Sequence, residues 1–229
     1  MTLSPAAEAP GALYDARRGV YYTKPALRGW MHLLWFEASL VFGTLLLVDS
    51  HGPRRITGAA IYAVSVSGLF GASALYHRGN WGQCWMARLQ RLDHTMIFVL
   101  IAGTATPAFL VAAPGAYGVA GLIVLWTLTA VAMAMHLVWM NAPEKLVGAT
   151  FVGLGCVAGL ALPAVWLNAG VVPAVLMLVG GLLYTAGAVS YHHRRPDPAP
   201  AVFGYHEVFH AYVCLAAACQ YVAIGVFLI

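Results

Sequence analysis

Nine histidines run through this chain, and two of them share one short string, His206-Glu207-Val208-Phe209-His210. Side chains at i and i+4 leave the same face of a helix, so both imidazoles can reach a single metal ion. In a chain this rich in histidine the spacing alone leaves metal binding and ordinary helix-end histidines equally open. A third donor has to come from another helix at the same depth. His77 closes an apolar run, with Ser73 one turn earlier on the same face, and Asp93 opens the next run in Arg91-Leu92-Asp93-His94. A carboxylate in such a place is costly unless paired or hydrated, which makes functional use the default reading. The competing reading is a salt bridge from Asp93 to Arg88 or Arg91.

The elements that must carry these groups follow from composition. Of 229 residues, 61% are hydrophobic and only 9% charged, where a soluble domain carries about a quarter charged residues. The fold class is therefore all-α, a polytopic membrane bundle. A span needs about 20 mainly apolar residues, and seven stretches qualify, near 30–49, 56–77, 91–111, 116–139, 145–164, 168–190 and 203–229. Turn-forming strings separate them, among them His51-Gly52-Pro53, Ala113-Pro114-Gly115, Asn141-Ala142-Pro143 and Arg194-Arg195-Pro196-Asp197-Pro198. Residues 1–29 have no long apolar core, so they are expected to form a cytoplasmic N-terminal segment rather than a cleaved signal, ahead of a seven-span domain over 30–229.

Orientation follows from lysine and arginine placement. With the N-terminus inside, Arg17, Arg18, Lys24, Arg28, Arg78, Arg88, Arg91, Lys145, Arg194 and Arg195 lie on the cytoplasmic side, and only Arg54 and Arg55 lie opposite. An N-in, C-out topology with an odd number of spans is expected, in the cell inner (plasma) membrane as a multi-pass protein. Eight of the nine histidines then gather in or beside the cytoplasmic half. The basic residues form no face with interleaved aromatics, which argues against nucleic acid as a partner. The four cysteines form no CxxC pair and are read as packing residues. Pro107, Pro163 and Pro173 could kink their helices, and Gly155-x-x-x-Gly159 could let two helices approach closely.

Taken in order, Ser73-Ala-Leu-Tyr-His77, Arg91-Leu-Asp93-His94 and Phe203-Gly-Tyr-His206-Glu-Val-Phe-His210 resemble the hemolysin III family, bacterial relatives of the progestin and adipoQ receptors in a wider group that includes alkaline ceramidases. The resemblance covers most of the chain. It implies a seven-helix bundle holding zinc through His77, His206 and His210, with Asp93 and Ser73 nearby as candidate catalytic groups. Three neutral imidazoles with an open fourth position suit a catalytic zinc. Asp93 would then accept or orient a proton and Ser73 would donate a hydrogen bond, although Asp93 could equally only anchor a ligand. Glu207 leaves the helix on another face and reads as an interfacial carboxylate near the positive end of the helix dipole.

Smaller expectations attach to other groups. Glu37, inside the first span, is protonated, paired or facing a wet cavity. His32, His94 and His136 are candidate contacts to ligands or substrate. His192 and His193 belong with Arg194 and Arg195 in an interfacial basic cluster, and Trp30, Tyr62, Trp139 and Tyr191 read as interface anchors. Three functions fit: a zinc-dependent hydrolase of a lipid amide or ester bond near the cytoplasmic leaflet, a receptor-like or membrane-homeostasis protein with structural zinc and a lipid ligand, and a pore-forming cytolysin. A pore should be lined by polar residues through its depth, whereas here the polar groups collect at one side.

Overall fold

The computed structural model describes residues 12–15, 20–139 and 142–229. Arg17, Arg18, Asn141 and most of the expected N-terminal segment lie outside the described residues. Seven helical stretches are long and apolar enough to cross a membrane. They are α1 (Trp30–Asp49), α2 (Pro53–Arg78), α3 (Gln83–Pro107), α4 (Gly115–Val138), α5 and α6 together (Glu144–Gly159, Leu162–Ala169), α7 (Val171–His193) and α8 (Tyr205–Phe227). Helix is the structure that satisfies every backbone polar group within its own segment, and a lipid environment demands that. A short antiparallel hairpin, β1 (Ala12–Asp15) with β2 (Val20–Thr23), precedes the bundle and was not expected from the sequence.

Several of the differences between expected and observed boundaries fall at glycine or proline. Pro53 sits in the first turn of α2 after Gly52 at φ +86°, so that helix starts earlier than 56. Pro107 has no N–H to give, and the ladder after it widens into a π turn over Ala108–Ala112, closed by the Ala113 N–H donating to the Ala108 carbonyl at 3.2 Å. The fifth span breaks at Leu160–Ala161 just before Pro163, and the Tyr117 hydroxyl donates to the Leu160 carbonyl there. Gly170 at φ +104° then starts α7 at Val171 instead of 168. Gly155-x-x-x-Gly159 does not bring helices together: a Cβ on Gly155 would meet nothing within 4 Å, and one on Gly159 only Leu162 at 3.9 Å.

Packing is closest between α1 and α2, α2 and α3, and α7 and α8, and α1 also meets α8, so the first and last spans are neighbours. The core between them is aromatic and aliphatic, with Phe70, Phe98, Phe109, Leu125 and Ile224 fully buried. Tyr62 belongs to this core at 2% exposure and is not an interface anchor. Among the described residues all four cysteines are free thiols.

Candidate metal centre

The end of α2, the third turn of α3, the start of α8 and the start of α1 converge at one end of the bundle. His77 is the penultimate residue of α2, and His206 and His210 occupy the first two turns of α8. One ring nitrogen from each of these three histidines lies within 4.8 Å of the others. Their ring centroids are 4.6 Å apart for His206 and His210, 4.7 Å for His77 and His206, and 5.1 Å for His77 and His210.

The donor set fits a borderline-soft divalent ion such as zinc. His77 Nε2 and His210 Nδ1 are buried without a hydrogen-bond partner among the described residues, and unpaired polar atoms are costly in a dry interior. A shared cation would satisfy both. Nitrogens bound to one ion at about 2.0–2.1 Å sit about 3.4 Å apart, so the imidazoles would draw together on binding.

Asp93 turns toward this cluster. Its Oδ2 lies 3.9 Å from His77 Nε2 with a side-chain exposure of 13%, and Ser73 is close beside it. Because α3 starts at Gln83, eight residues earlier than expected, Asp93 lies well inside the helix and not at its first turn. Ser73 is buried and shares a 2.8 Å hydrogen bond with His32 Nδ1.

His32 is the residue whose place sequence reasoning left open. It is 3% exposed, its ring stacks on His210 at 3.7 Å between centroids with planes 12° apart, and the Phe70 ring meets it edge-on at 4.9 Å. Four imidazoles from three helices thus share one pocket. His94 and His136 face one another between α3 and α4, 5.5 Å between centroids, beside this group rather than within it. Tyr191 packs edge-on against His206 at 5.2 Å, so it supports the site instead of only anchoring an interface. Glu37 points outward from α1, exposed between the exposed Leu34, Leu40 and Val41, and so faces no interior cavity. His192 and His193 are exposed at the end of α7.

Glu207 is buried, with 0% exposure, and is no interfacial carboxylate. Its Oε1 accepts from Arg28 Nε, and its Oε2 accepts from the Gly204 N–H at 2.9 Å, capping α8 one residue from His206. The segment carrying Arg28 is tied to the loop before α8 by two backbone bonds, Ala26 N–H to the Ala201 carbonyl at 3.0 Å and Leu27 N–H to the Val202 carbonyl at 3.1 Å. Gly29 follows at φ +81°, and a Cβ there would stand 2.7 Å from the Cβ of His77. Only glycine combines that conformation with that approach. The strap of residues 24–29 therefore touches the surroundings of both His77 and His206.

Such a molecule is a multi-pass helical membrane protein with a buried cluster of histidines at one end of its bundle. The family model described as "Haemolysin-III related" matches residues 20–221, and the chain belongs to that family. A relative from Bacillus subtilis (strain 168), "Hemolysin-3 homolog", is 24% identical over 183 residues, covering 80% of this chain and 83% of its own. "Hemolysin-3" of Bacillus cereus is 27% identical over 159 residues, covering 67% and 72%.

Proposed function

We propose that the protein is a zinc-dependent hydrolase of a lipid amide or ester bond, with His77, His206 and His210 as ligands and the site near the cytoplasmic leaflet. The observation that carries this reading is a carboxylate, Asp93, and a hydroxyl, Ser73, placed against a three-histidine cluster inside a membrane bundle. When bound, zinc would supply Lewis-acid polarisation and lower the pKa of water toward neutrality. Asp93 Oδ2 would take a proton from an attacking water on the His77 side and pass it to the leaving amine or alcohol as the acyl C–N or C–O bond breaks. Ser73, accepting from His32 Nδ1–H, would turn its one O–H from Asp93 to the substrate carbonyl oxygen where charge develops. The buried walls, Phe70 among them, keep bulk water from the reacting carbonyl.

The test is a panel of amide- and ester-linked lipids given to purified protein with zinc measured on the same sample. Turnover that is lost in Asp93→Asn while about one zinc per chain remains supports the reading. No turnover from any lipid with zinc bound favours a receptor-like or membrane-homeostasis protein in which the metal is structural. A third reading, a pore, is favoured by the name of the Bacillus cereus relative, "Hemolysin-3". The fully buried Phe70, Phe98, Phe109 and Leu125 argue against a wet path through a single bundle, and currents across planar bilayers containing the pure protein would establish one.

A further inference from the structure

The rim above the histidine cluster carries more positive charge than its carboxylate can balance. Lys24 and Arg28 lie on the strap before α1, and Arg78 ends α2 directly after His77. Arg28 is committed to Glu207. Among the described residues no carboxylate pairs with Lys24 or Arg78. The Arg78 guanidinium lies over the Trp30 ring, its Cζ 4.1 Å from the centroid. The contact with the ring steadies the guanidinium, and Arg78 is exposed, so its N–H groups can meet an anion in a forked contact. Lys24 is half-buried beside it. Burial, then the neighbouring Arg78 and Arg28, hold the Lys24 ammonium below its ordinary value, as expected for a cation drawn from water toward like charges. Arg54 and Arg55 at the opposite end are exposed. A half-buried cation between guanidinium groups is costly until an anion joins it.

We infer that Lys24 and Arg78 bind a phosphate-type anion at the mouth of the histidine cluster, and that this anion is the headgroup of an acidic phospholipid. That the same lipid is the substrate rests on the hydrolase reading above; the anion site does not. Arg78 contributes a planar fork and Lys24 a point charge, a pairing suited to phosphate oxygens. His77, adjacent in sequence to Arg78, then lies just beneath the headgroup, where the ester linkages of a phospholipid begin.

The detergent-purified full chain is titrated with short-chain phosphatidylglycerol, short-chain phosphatidylcholine and inorganic phosphate, with binding followed by native mass spectrometry. The expected result is a preference for phosphatidylglycerol that falls about 10-fold in Lys24→Gln/Arg78→Gln, set against about 2-fold or less in Arg88→Gln. Arg88 is a fair control because its guanidinium also lies over a tryptophan, 5.3 Å from the Trp85 centroid. Zinc content of each variant reports whether the site survives. If the double variant loses zinc, Lys24→Arg/Arg78→Lys keeps both charges and should retain the lipid preference. Equal losses in the double variant and in Arg88→Gln, or no preference over phosphatidylcholine, overturn the inference. Displacement of the lipid by inorganic phosphate keeps the anion site but overturns the headgroup assignment. Retained phosphatidylglycerol without cleavage of it or of any lipid in the panel removes the hydrolase reading alone, and cleavage of a neutral lipid without any anionic preference removes this one alone.

Discussion

At the scale of single residues, the proposed site divides into groups that would hold a metal and groups that would act on a substrate. His77→Ala and His210→Ala are each expected to abolish stoichiometric zinc, measured by elemental analysis, because two remaining imidazoles make a weak site. Asp93→Asn is expected to keep the metal and lower any lipid hydrolysis by about 10²-fold or more. Glu207→Gln leaves Arg28 facing a neutral partner in a buried place, and a loss of about 3 kcal/mol is expected, seen as a lower melting temperature in detergent. Unchanged melting would show that the pair contributes little. His206 and His210 were legible in the sequence because i and i+4 spacing declares a shared face, and His77 because it ends a span at the same depth. His32 was named only as a candidate contact alongside His94 and His136, since a lone histidine on an apolar helix carries no pattern of its own. The partner of Glu207 lay 179 residues away along the chain, beyond the reach of any local spacing, so its burial was missed.

Among the helices, the seven spans could be read closely because hydrophobic length is imposed by the bilayer and survives any detail of packing. Their interruptions could not. A proline marks a disturbance without saying whether the helix bends, widens or restarts, and here Pro107 gives a π turn while Pro163 opens a new segment. Small-residue motifs were equally ambiguous. A Cβ on Gly103 would sit 2.1 Å from Ser65 Oγ and 2.5 Å from its Cβ, where α2 and α3 are pressed together. Gly103→Ala is therefore expected to destabilise the bundle by about 1–3 kcal/mol. Gly155→Ala, with open space around it, is expected to leave the melting temperature unchanged or slightly raised through better helix propensity. The pair of melting curves separates a glycine needed for contact from one that merely sits in a motif, and reversal of the order would contradict the packing described.

For the whole molecule, the charge distribution sets a direction that the bundle itself does not reveal. The histidine end also carries Lys24, Arg28, Arg78, Arg194 and Arg195, while Arg54 and Arg55 lie at the other end, so the site is expected to face the cytoplasm. Alkaline phosphatase fused after Ile229 should then be active, and an inactive fusion that is nonetheless made and inserted would reverse the assignment. The strap joining residues 26 and 27 to 201 and 202 carries a consequence of a different kind. It ties the strap before α1 to the loop before α8, and the three clustered histidines come from the second span and the last. A ribosome delivers these parts in order, earliest first. The early spans must wait in the bilayer, with His32 and His77 in place, until α8 arrives to complete the cluster. If His77, His206 and His210 hold a zinc ion as proposed, the ligand set is complete only once residue 210 has been made, and a chain stalled before residue 201 has neither that set nor the clasp.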